Sequence, residues 1–136
     1  MLVALLLLAG CWSFAGFVYD ERLAGPYRLV AVDTMEQMIL CRDMGGGDCA
    51  GDGLPDETIF AAGADDRFIV LARHPRTWPD PPDRTVTEYH YVIRVPDEAE
   101  RGPYGRVRGP FDETQFEAET RRLGLPGFSR TFEELR

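Results

Sequence analysis

The chain has 136 residues, with 15 Arg, no Lys and 23 acidic side chains, for a net charge of −8. That balance repels the polyanionic backbone of a nucleic acid, and it disfavours holding an anionic bilayer through basic patches. About 125 residues follow Cys11, enough for one domain with a single core and too few for two.

Leu5 to Leu8 followed by Ala9 and Gly10 form a short apolar run that ends on Cys11. A run closing in Leu-Ala-Gly-Cys has the form of a bacterial lipobox, in which residues 1–10 are a signal peptide and the Cys11 thiol carries the lipid. The competing readings are a core element or a single membrane span, and Leu2–Ala9 alone is too short to cross a bilayer. One departure is that no Lys or Arg precedes the apolar run, whereas export signals carry positive charge there. One acyl chain holds a protein only marginally, but two or more, palmitate among them, anchor it firmly. The membrane, reached through lipid, is therefore the first expected partner. Trp12 stands where Asp marks inner-membrane retention in enteric bacteria, which favours the outer membrane and a periplasm-facing domain.

Residues 11–23 read as a lipidated tether, because Trp12–Leu23 mixes Gly16 with aromatic residues and ends in Tyr19-Asp20-Glu21-Arg22 without a sustained period. Residues 24–136 read as a single α+β domain. Gly25-Pro26 opens it. Tyr27–Val32 is strand-like, and Gln37–Arg42 resumes as a second short strand that pairs with it; a helix over Met35–Cys41 is the alternative. Cys41 and Cys49 then close a glycine-rich loop. Once Cys11 is used for lipid, these two remain, and an oxidising compartment would join them as a disulfide. A zinc site would need further soft ligands and has only His74 and His90 to draw on. Asp43, Asp48, Asp52 and Asp56 miss the spacing of a calcium loop, so no metal and no cofactor is expected.

Thr58–Ala62 and Arg67–Ala72 are apolar runs separated by Gly63-Ala64-Asp65-Asp66, a hairpin near the centre of the sheet. Pro75 ends its second strand. The Trp78-Pro79-Asp80-Pro81-Pro82 stretch reads as an extended surface loop, with Trp78 either folded back on the sheet or offered as a contact to a partner protein. Thr85–Val95 gives the longest strand, its alternation placing Tyr89, Tyr91, Ile93 and Val95 inward and Glu88, His90 and Arg94 outward. Arg106–Gly109 is a short edge strand guarded by its charges. Asp112 with Gln115 forms a capping box, Phe111 and Phe116 a hydrophobic staple, and Gly124 the stop of a C-terminal helix; Thr131–Glu134 suggests one last turn. The expected architecture is an antiparallel meander of about five strands with that helix packed on one face.

Gly25-Pro26-Tyr27-Arg28-Leu29, Asp65-Asp66-Arg67-Phe68-Ile69-Val70, Thr87-Glu88-Tyr89-His90-Tyr91 and Gly109-Pro110-Phe111, followed by Phe116 and Leu123-Gly124-Leu125, carry a resemblance that spans Ala24 to Leu135. The chain is similar to a family of small uncharacterised bacterial lipoproteins. The resemblance implies an exported, lipid-anchored domain and supplies no active residues.

Catalysis finds little support in the sequence. Ser13 lies in the tether, Ser129 lacks a Gly-x-Ser-x-Gly setting, and Asp65-Asp66 reads as turn chemistry. The expected role is a binding or assembly-accessory module of the bacterial envelope, acting on an envelope protein. The alternatives are an immunity-type inhibitor of a secreted toxin and a small envelope hydrolase.

Overall fold

The computed structural model describes residues 16–136. Cys11, the apolar run before it and the tether residues Trp12, Ser13 and Phe14 lie outside the described residues. The architecture is antiparallel and mostly β with a single C-terminal helix, and its strands are divided between two sheets rather than gathered in one.

The first sheet has the order β1-β2-β3-β4, from β1 (Tyr19–Ala24), β2 (Tyr27–Ala31), β3 (Ile39–Gly45) and β4 (Asp48–Ala50). β1 corrects the expected tether: Tyr19–Ala24 is a full partner of β2 from Tyr19↔Ala31 to Ala24↔Tyr27. Its polar sequence hides this because its support is not local. Asp20 receives the Arg28 guanidinium, Glu21 receives that of Arg130 near the end of the chain, and the Tyr19 ring meets Phe132 edge-on at 5.0 Å. β2 and β3 form the expected pair, with Val30 opposite Ile39. Between them stands a 3₁₀ turn, Met35–Gln37, in place of the alternative helix; Gln37 caps the turn by accepting from the Asp33 and Thr34 backbone N–H groups. Cys41 and Cys49 are joined in a disulfide across the β3–β4 hairpin, with Cα atoms 5.6 Å apart. Closing so short a loop contributes about 2–3 kcal/mol by limiting the unfolded chain. Gly45, Gly46 and Gly47 turn that hairpin at φ values of 85°, 63° and 87°, which only glycine adopts without strain.

The second sheet has the order β8-β7-β6-β5-β9, from β5 (Ile59–Ala64), β6 (Phe68–Arg73), β7 (Glu88–Ile93), β8 (Val107–Phe111) and β9 (Arg130–Thr131). The β5–β6 hairpin is central, as its continuous apolar sequence requires. Asp65 shapes the turn by accepting from the Arg67 and Phe68 N–H groups. β7 is shorter than the expected Thr85–Val95. The helix α1 (Glu113–Leu123) begins at Asp112, whose side chain accepts from the Gln115 N–H while the Gln115 side chain returns to the Asp112 N–H. It ends at Gly124 in the left-handed conformation, and a last 3₁₀ turn covers Glu133–Leu135.

The two sheets pack face to face. Tyr27, Leu29 and Leu40 of the first meet Ile69, Leu71 and Val92 of the second in one buried cluster. The other face of the second sheet presents Phe68, Val70 and Tyr91 to Phe116 and Leu125, from α1 and the segment after it. The order of layers is therefore sheet, sheet, helix. One end of the stack, here termed proximal, holds the start of β1, the 33–37 turn and the start of β5; the Ile59 N–H donates to the Met38 carbonyl there. The distal end holds the Gly25-Pro26 turn, packed against the Arg94 and Glu98 side chains, which pair with each other at 2.7 Å.

The return of the chain after α1 depends on one glycine. Gly127 and Phe128 cross so close over β5 that a Cβ on Gly63 would lie 2.0 Å from the Gly127 carbonyl oxygen, whereas a Cβ on Gly127 has open space around it. Gly63→Ala is expected to cost about 1–3 kcal/mol through overpacking, and Gly127→Ala less than about 0.5 kcal/mol. Urea denaturation midpoints of the two variants check the difference.

Candidate functional site

The expected inward and outward faces of β7 do not survive the second sheet. Tyr89, Tyr91 and Ile93 pack toward α1 as anticipated, but His90 and Val92 face the first sheet and are buried, His90 at 7% exposure. Leu71 lies opposite His90 and Ile69 opposite Val92. Fully burying Leu71 and Val92 stabilises by about 1.5–3 kcal/mol each, which outweighs the roughly 1–3 kcal/mol cost of an unpaired polar group. His90 therefore follows its neighbours inside and is not the solvated residue expected.

Neither His90 ring nitrogen has a hydrogen-bond partner within the described residues, and the nearest carboxylate oxygen, on Glu88, is 3.9 Å from Nε2. Burial, then the positive charge of Arg73, push the imidazole down to about 4, with the backbone of Arg108 offsetting this only in part. His74 is also buried; it stacks on Phe60 at 4.3 Å and its Nδ1 meets the Val86 carbonyl at 2.8 Å. Among the described residues no three His, Cys, Asp or Glu side chains converge as metal ligands. His74 thus ties the end of β6 to the loop before β7, while His90 is buried without a hydrogen-bond partner. Because the unfolded chain takes up a proton on His90 near pH 6.5 and the folded chain only near pH 4, stability falls as pH drops through that window. Denaturation midpoints measured in steps from pH 7 to pH 4 should decline, and His90→Gln should flatten the decline.

A recess with an apolar lining lies on the helix side of the second sheet. It is an open groove of about 390 Å³ between α1 and the returning segment Pro126–Phe128. Its floor is aromatic: Tyr89 stacks on Phe116 at 4.9 Å, and Phe128 lies 6.1 Å from Phe116 and 6.3 Å from Tyr89. Phe128 is 39% exposed, while Phe116 is buried. The helical wall carries Glu113, Glu117 and Arg121, which share one face at four-residue spacing. Burial, and then the charges of Glu113 and Glu117, hold the Tyr89 phenol above its ordinary range. An aromatic floor beside carboxylates suits an apolar or aromatic side chain with a cation next to it.

Phe116 was legible in the sequence as a helix-staple residue. The place of Phe128 and Pro126 beside it was not, because Phe128 reads only as an apolar residue that continues the packing and nothing local in Leu125-Pro126-Gly127-Phe128 announces that it crosses back over β5. Trp78 stands apart from the groove, in the loop after β6, and is 71% exposed rather than folded on the sheet. Ser129, weighed as a nucleophile, serves its backbone N–H to the Ala62 carbonyl. Asp65 is occupied by the turn it shapes. No helix among the described residues is long and apolar enough to cross a membrane. Comparison with known protein families, characterised proteins and solved structures gives no match.

Proposed function

We propose that this chain is a lipid-anchored binding module of the bacterial envelope, held to the membrane through Cys11 and engaging an envelope protein through the groove beside α1. The observation that carries the reading is the Cys41–Cys49 disulfide: it suits an exported chain and leaves Cys11, of the three cysteines, as the one outside it. The Leu-Ala-Gly-Cys motif gives that remaining thiol its chemistry. The partner surface is the aromatic floor at Tyr89, Phe116 and Phe128, whose recess and exposed ring match what a buried anchor side chain needs. Glu113 and Glu117 select a partner with a basic residue beside that anchor.

Two measurements test the proposal. Mass spectrometry of the membrane-extracted protein should find a mature N-terminus at acylated Cys11, and Cys11→Ser should move the protein to the soluble fraction; an uncleaved, unmodified N-terminus on soluble cytosolic material overturns it. A photo-crosslinker placed at Arg121 should give a discrete adduct in cells, and Phe128→Ala or Glu117→Arg should reduce its yield about tenfold, the loss expected from one interface anchor. Phe128 is exposed enough for the alanine variant to keep its fold, checked by its circular dichroism.

A further inference from the structure

The large apolar side chains left exposed among the described residues are unevenly placed. Val18, Val32, Val86 and Trp78 are 53%, 47%, 41% and 71% exposed, and the backbone bonds bring all four to the proximal end. The Val18 N–H donates to the Val32 carbonyl; the Thr58 hydroxyl reaches the Glu36 carbonyl of the next turn; Thr58 and His74 exchange backbone hydrogen bonds; and His74 Nδ1 meets the Val86 carbonyl. The Trp78 loop is pinned to the same end by the Asp83 N–H on the Pro75 carbonyl. Of the remaining three, Met44 lies beside the distal Gly45–Gly47 turn, Tyr104 in the distal loop after β7 and Phe128 in the groove beside α1.

We infer that the proximal end, with Trp78 foremost, seats in the headgroup layer of the membrane to which the protein is anchored. This rests on the acyl anchor at Cys11 proposed above. Val18 is only seven residue steps beyond Cys11, a reach of at most ~25 Å fully extended, so the end that bears Val18 is the end the lipid holds near the surface. An indole offers an apolar body and a polar N–H, the combination favoured at that depth. Charge selects the lipid. Asp33, Asp80 and Asp83 are exposed at this end, while Arg76 is paired with Glu57 at 3.1 Å; Arg84, bonded to the carbonyls of Glu134 and Arg136, keeps its charge and offsets only one of the three carboxylates. The surface is thus acidic, and the seat is on zwitterionic phospholipid, without help from anionic headgroups. Seated so, the domain stands with its strands toward the bilayer and the groove beside α1 open to the side.

The test uses the mature acylated protein, purified from membranes, in phosphatidylcholine vesicles brominated in the acyl chains. The sequence has two tryptophans, so Trp12→Phe leaves Trp78 as the sole indole. Its emission should shift to the blue and fall about twofold relative to unbrominated vesicles, as an interfacial indole would, while Met44→Trp in a Trp12→Phe, Trp78→Phe background should show neither change. Replacing a third of the lipid with phosphatidylglycerol should not strengthen the effect. Protein that sediments with vesicles but leaves Trp78 unquenched overturns the seat and leaves the anchor standing. Protein that fails to sediment overturns the anchor, and the seat with it. Quenching of the Met44→Trp probe equal to that of Trp78 overturns the orientation.

Discussion

Burial of the β5–β6–β7 ladder on both of its faces is the constraint on which the rest of this fold depends. Three neighbouring strands with apolar residues on each side need two covers, and the chain supplies them in different ways. The first sheet, built before the ladder, closes over Ile69, Leu71 and Val92; α1 and the segment behind it, built after, close over Phe68, Val70 and Tyr91. A meander with one solvated face could not satisfy these strands. The buried, unpaired imidazole of His90 is a consequence of the same constraint, since alternation carries it inside with Val92.

The helical cover also creates the recess. The helix lies on the sheet through Phe116, and the chain must then travel back toward β9. Gly63 lets that return pass so low over β5 that Phe128 comes level with Phe116 and Tyr89 instead of riding above them. The space left between the helix and the returning segment is the groove. Its chemistry comes from the exposed helical face, where Glu113 and Glu117 stand one turn apart beside the Tyr89 hydroxyl. A packing solution in the core and a surface able to receive a side chain thus share the same few residues.

What the sequence announced was what is encoded locally. The capping box at Asp112 and Gln115, the stop at Gly124, the turn at Asp65 and the Cys41–Cys49 loop are each written within a few residues, and each stands as expected. What it concealed depends on distant partners. β1 has a polar sequence because its charges meet Arg28 and Arg130, the latter more than a hundred residues away, so no period within Tyr19–Ala24 marks it as a strand. The division into two sheets falls at Gly51–Glu57, a turn-rich stretch that reads the same whether or not the following strand joins the preceding sheet. The site shows the same split: Phe116 was visible through its helix, while Phe128 needed the crossing over Gly63.

The way β1 is fastened bears on how the domain carries mechanical load. Five registered pairs, from Tyr19↔Ala31 to Ala24↔Tyr27, run along its length, and the strand begins at the end where the chain enters. A pull on Val18 directed away from the domain acts along the strand axis, across hydrogen bonds that lie perpendicular to it. Those bonds are sheared together instead of being unzipped one at a time, with the Glu21–Arg130 pair as a brace to the last strand. A load entering through Val18 is thus shared along the whole of β1 and passed to the last strand, so the domain resists it as one body.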